Sequence, residues 1–136
     1  MKRILLVDDE KDALIILQKK LKSNNYDVNT AATGKEALVS AKSEKPDLML
    51  LDIMLPDTDA YTLISSLKED KSLKDVPVIL ITGKELVSNA IERRASELGV
   101  CGYLMKPFSF EDILAKIKEI IGYIIFIKVI MIKKIC

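Results

Sequence analysis

The chain contains no histidine. That excludes imidazole-based general acid–base catalysis and any zinc site built on histidine. Cysteine is nearly as scarce. Cys101 and Cys136 have neither metal-site spacing nor the density of a disulfide framework, so a reducing, cytoplasmic compartment is expected. No sign of charge prevails either: 21 basic and 20 acidic residues leave a net +1. Without a basic stripe, direct nucleic-acid binding is not expected. Long apolar runs are missing too. The uncharged stretch Ile120 to Ile127 falls far short of the about 20 residues a membrane span needs. At the N-terminus, "MKRILLVDDE" reaches acids after four apolar residues, too few for a signal peptide. Internal repeats, low-complexity linkers and a second domain are also absent from the pattern.

What is present is a soluble domain's balance, 49% hydrophobic and 30% charged in 136 residues. That is enough chain to bury roughly two-thirds of the surface its unfolded form exposes. Short apolar runs alternate with amphipathic ones. Ile4 to Val7, Leu48 to Leu51, Val78 to Ile81 and Tyr103 to Met105 read as buried strands, with a weaker one at Val28 to Ala31. Between them, Leu14, Leu17 and Leu21 recur at helical spacing, as do Ile91, Ala95 and Leu98. Thr33 through Glu36 has the form of a capping box, and Ser109 through Asp112 an acidic version of one. Gly99 stands where a helix should end. The result is (βα)5, and continuously apolar strands imply a parallel sheet covered by helices on both faces.

In open α/β sheets, ligands bind beyond the carboxyl ends of the strands. The first polar residues after each strand therefore form the candidate site: Asp8 and Asp9, Asp52, Thr82, and Lys106 followed by Pro107. Each alone has an ordinary explanation, as a turn former, a helix start or a surface lysine. Their coincidence on one sheet edge does not. Clustered carboxylates repel and would partly protonate unless a cation joined them. A hard divalent ion held by a few carboxylates and waters suits Mg2+. The ammonium and hydroxyl then suit a phosphoryl group.

The segments "ILLVDDEKD", "PDLMLLDIMLPDTDAY", "PVILITG" and "GYLMKPF", in this order, resemble the receiver domain of two-component response regulators, the chemotaxis-regulator-like phosphoacceptor domain. The resemblance spans residues 1–121 and implies a flavodoxin-like sandwich with strand order 2-1-3-4-5. It implies that Asp52 is the phosphoacceptor, receiving its phosphoryl group from a sensor histidine kinase or a histidine phosphotransfer protein. Mg2+ would be held by Asp9, by Asp52, by the Met54 backbone carbonyl, and by Asp8 largely through water. Lys106 and Thr82 would bind phosphoryl oxygens, with a cis bond before Pro107 helping to aim the lysine. Tyr103 matches the switch aromatic. The output face, formed by the fourth helix, fifth strand and fifth helix, would dock a downstream protein target. Such a domain is not an enzyme beyond its own phosphoryl transfer and autodephosphorylation.

Two positions stand apart. Ala60 replaces the family's usual glycine and would cost on the order of 1 kcal/mol if its φ were positive. Met54 and Lys84 occupy positions that tune phosphate lifetime in the family. The tail from Gly122 to Cys136, rich in isoleucine and lysine, lies outside the resemblance. It reads as a helix extension serving a homodimer, a β-prone segment pairing with another chain, or an unselected extension. No output domain follows, so a stand-alone receiver or a fragment of a larger regulator is expected. Three rival functions fit less well. An aspartate-nucleophile phosphohydrolase of the haloacid dehalogenase type would need an acid where Met54 stands. A nucleotide-binding module would need a glycine-rich loop where "DDEKD" stands. A receiver acting without phosphorylation would typically lack one of the acids or the lysine.

Overall fold

The computed structural model describes residues 1–83, 93–94 and 96–130, the side chains of 123–130 excepted. Five strands form one parallel sheet: β1 (Arg3–Val7), β2 (Asp27–Ala31), β3 (Leu48–Asp52), β4 (Val78–Gly83) and β5 (Gly102–Lys106), in the order β2-β1-β3-β4-β5. The four helices among the described residues are α1 (Lys11–Ser23), α2 (Gly34–Ser43), α3 (Ala60–Glu69) and α4 (Phe110–Ile130). This is the expected flavodoxin-like arrangement. The fourth helix of the sequence reading falls mainly on residues outside those described. Its final turn is visible in the partly buried Leu98 and in Gly99, whose φ of 74° is the left-handed value glycine adopts without strain.

Alternation along each central strand builds two cores. Leu5, Val7, Met49, Leu51, Val78 and Leu80 point to one face, where Ala37 and Ala41 of α2 and Leu63, Ile64 and Leu67 of α3 cover them. Ile4, Leu6, Leu48, Leu50, Ile79 and Ile81 point to the other, under Leu14 and Leu21 of α1 and Ile113, Ile117 and Ile120 of α4. With apolar residues needed on both faces, β3 reads "LMLL", and all five of its residues are buried. β5 departs from expectation: Tyr103 and Met105 are exposed and its other residues only half-buried. It is the sheet's edge and pairs with β4 alone.

The predicted caps form. Thr33 Oγ1 accepts from the Glu36 N–H at 3.1 Å, while Glu36 reaches back to the Ala32 N–H at 2.7 Å, one residue short of a reciprocal box. Ser109 and Asp112 make the fully reciprocal version, both bonds at 3.1 Å. Ala60 is the buried first residue of α3, and Asn25 is the only non-glycine with positive φ among the described residues. The cost foreseen for alanine there does not arise. α4 runs unbroken through Gly122 to Ile130, so the expected start of the tail lies inside a helix. Residues 131–136 lie outside those described. Cys101 is disulfide-bonded, against the sequence expectation. No helix of the described residues is long and apolar enough to cross a membrane.

Asp59 caps α3, accepting from the Thr62 N–H at 2.8 Å and the Thr62 hydroxyl at 3.0 Å. The backbone bond to Thr62 is the main reason its pKa is lowered. A carboxylate with a depressed folded pKa stabilises the fold above its unfolded value and loses that contribution as pH falls through the folded one. Asp59→Ala should therefore cost about 1 kcal/mol near neutral pH. Chemical denaturation should show that gap narrowing below about pH 4. At Gly122 a Cβ would meet nothing within 4 Å. Gly122→Ala should raise stability by about 1 kcal/mol in the same measurement, through helix propensity alone.

Candidate functional site

Three strands end in ionisable side chains on the same side of the sheet. Asp8 shares the parity of Ile4 and Leu6, Asp52 that of Leu48 and Leu50, and Lys106 that of Leu104, so all three side chains lean toward the α1/α4 face. The ladder fixes their level. Asp52 is registered with Ile81, Lys106 with Gly83, and the Asp8 N–H bonds the Ala31 carbonyl at 3.1 Å. Strands hydrogen-bonded into one sheet thus deliver the groups, two of them from its buried centre, and no flexible loop is required to bring them together.

Lys106 joins the two acids. Its Nζ lies 3.0 Å from Asp52 Oδ2 and 3.8 Å from Asp8 Oδ2. The second oxygen of each acid is held by backbone: Asp52 Oδ1 accepts from the Met54 N–H at 2.9 Å, and Asp8 Oδ1 from the Glu10 N–H at 3.0 Å. Both acids are buried, at 8% and 9% exposure. Burial pushes the Asp8 carboxyl up from the usual aspartate range. The Glu10 backbone bond opposes this, and the neighbouring Asp52 charge adds to it. For Lys106, burial lowers the pKa, but the hydrogen bond to Asp52 and the charges of Asp52 and Asp8 outweigh it and raise the net value. The ammonium therefore stays charged throughout the neutral range.

The other predicted residues stand further off. Asp9 is exposed, and the Met54 side chain points to solvent while its backbone N–H sits on Asp52. Thr82 is buried on the opposite parity, and its hydroxyl donates to the Gly83 carbonyl at 3.2 Å. Tyr103 faces outward at 39% exposure. The Lys106–Pro107 peptide is cis, as the resemblance implied. Lys84 lies outside the described residues.

Among the described residues, no three acidic or cysteine side chains gather closely enough to hold an ion by themselves. Even so, two buried carboxylates against one ammonium leave a negative excess. Oxygen donors of this kind, with water completing the shell, fit Mg2+.

One residue escaped the sequence reading. Asp57, in the loop after β3, accepts from the Gly34 N–H at 2.8 Å and the Lys35 N–H at 3.1 Å, at the start of α2. Nothing local in "LPDTD" signals a partner more than twenty residues upstream.

Comparison with known proteins agrees with this fold. The family model described as the response regulator receiver domain matches residues 4–118. The chain is 39% identical over 120 residues to the alkaline phosphatase synthesis transcriptional regulatory protein PhoP of Bacillus subtilis, covering 88% of this chain and 48% of that protein. It is 35% identical to the response regulator PleD of Caulobacter vibrioides over 87% of this chain and 26% of that one. The chain thus spans about half the length, or less, of these curated relatives. Among solved structures, a CheY-like receiver domain protein from Methanospirillum hungatei superposes with a TM-score of 0.82 at 32% identity, covering 90% of this chain and 95% of that one. The chain belongs to the response regulator receiver domain family.

Proposed function

We propose that Asp52 is the phosphoacceptor of a two-component signalling switch. The observation carrying this reading is the Lys106 ammonium 3.0 Å from Asp52 Oδ2, on a carboxylate held rigidly at the end of a buried strand. An Asp52 oxygen attacks the phosphorus of a phosphohistidine on a sensor histidine kinase or histidine phosphotransfer protein. The P–O bond forms as the P–N bond breaks, and the imidazole leaves. Lys106 is within reach of the oxygens that gain charge during transfer, and its raised pKa keeps it cationic for that task. Asp9, Asp52 and the Met54 carbonyl would hold Mg2+, with Asp8 acting mainly through water. When bound, the ion supplies charge neutralisation for the phosphoryl oxygens.

The product carries roughly −1.5 to −2 charges at Asp52. To reach it, the Thr82 hydroxyl has to leave the Gly83 carbonyl it now serves. Tyr103, on the exposed side of β5, then turns toward the space Thr82 vacates and alters the face it shares with the preceding helix and α4. That face docks a downstream protein in the cytoplasm, and hydrolysis of the aspartyl phosphate resets it. Relatives named as transcriptional regulators are about twice as long. The expectation of no direct nucleic-acid contact therefore concerns only the residues of this chain.

The full chain incubated with Mg2+ and acetyl phosphate should gain one phosphate by mass spectrometry, and Asp52→Asn should gain none. Phosphate uptake by Asp52→Asn would sink the assignment. Lys106→Ala should still be labelled, but with an initial rate lower by about tenfold or more, the loss of one charge-assisted contact worth ~1.5–3 kcal/mol. An unchanged rate would remove Lys106 from the transfer step.

A further inference from the structure

We propose that Asp57 is a positioning residue: by capping α2, it fixes the loop that carries the Met54 carbonyl beside Asp52. The inference rests on the reading of that carbonyl as a Mg2+ donor. The loop leaves β3 at Ile53 and re-enters structure at Ala60. Its base is closed by the Ala60 N–H on the Ile53 carbonyl at 3.2 Å and by a bridge between Met54 and Asp59. Its tip has no such backbone ties among the described residues. Leu55 packs against the core, and what ties the tip to α2 by hydrogen bonds is Asp57, with one oxygen on the Gly34 N–H and the other on the Lys35 N–H. These backbone bonds lower its pKa, so it stays ionised wherever the domain is folded near neutrality, at the helix end that favours an anion.

The contact matters more to the loop than to the helix. α2 already has Thr33 as its cap and Glu36 on the Ala32 N–H, and the exposed Lys35 donor could bond water instead. Asp57, by contrast, makes the tip's only described side-chain hydrogen bonds to another element. Gly34 reveals how closely the two surfaces meet. Its φ is not positive, so no backbone strain calls for glycine there. A Cβ at that position would run into Thr58 Cγ2. Glycine is therefore present to let the loop seat against the helix end.

That steric detail gives a test a general structural role would not satisfy. Initial rates of acetyl phosphate labelling of the full chain are followed against Mg2+ concentration, separating half-saturation from maximal rate. Gly34→Ala makes α2 a better helix, yet should raise the half-saturating Mg2+ about tenfold, the scale for disturbing what orients a metal ligand. Adding Thr58→Ser, which deletes Cγ2 and keeps the hydroxyl, should restore the wild-type value. Asp57→Ala should raise half-saturation in the same way, and Thr58→Ser should not rescue it. Wild-type Mg2+ dependence in Gly34→Ala or in Asp57→Ala overturns the proposal. So does a defect in Gly34→Ala that Thr58→Ser leaves in place. A wild-type chain that takes up no phosphate instead overturns the phosphoacceptor reading itself, and this inference with it.

Discussion

Two carboxylates have been taken most of the way out of water at the ends of adjacent strands, and one ammonium stands between them. Desolvated acids at such close quarters are costly, and neither would stay charged without compensation. Lys106 supplies it from a third strand, and backbone N–H groups at Met54 and Glu10 supply the rest. Much of the architecture follows from keeping this arrangement in place. β1 and β3 are central and buried on both faces, so the acids cannot drift, while the lysine comes from the edge strand, where the longest side chain has room to reach in.

The compensation is incomplete by design of charge: two acids meet one base. A site balanced this way is unsaturated electrostatically and chemically ready for a hard cation and an anionic group together, where either alone would be poorly matched. The opposite edge of the sheet makes an instructive contrast. There Arg3 meets Asp27 at 2.9 Å and Glu44 at 3.2 Å, and its N–H meets Asp47. Those groups lie in more exposed surroundings and fasten the N-terminal edge, a structural use of similar residues.

Much of this was legible in the residues. The run before Asp52 gave a fully buried strand because a strand covered on both faces must be apolar at every position. Thr33 with Glu36, and Ser109 with Asp112, announced two helix starts because capping is a local geometry. What stayed hidden was non-local. Tyr103 and Met105 look like buried strand residues until β5 is known to be an edge. Asp57 meets α2 only after the sheet has brought β3 and the β2–α2 turn side by side. The backbone at Ala60 depended on Asp59 capping α3, which sets a helical start where a family glycine suggested a turn.

The shared parity of Asp8, Asp52 and Lys106 also bears on how such a chain can change over generations. Side chains on a strand alternate faces, so one inserted or deleted residue within β1, β3 or β5 would turn that strand's terminal group to the far side of the sheet. Each core would at the same time receive the residues meant for the other. In β1 and β3, where both faces are apolar, the strand itself would still be buried and the domain could still fold. Substitutions can adjust this site by degrees, but a shift in length would abolish it while leaving a presentable fold behind. Length changes in descendants of this chain are therefore expected in its loops, with strand lengths held fixed by chemistry more than by stability.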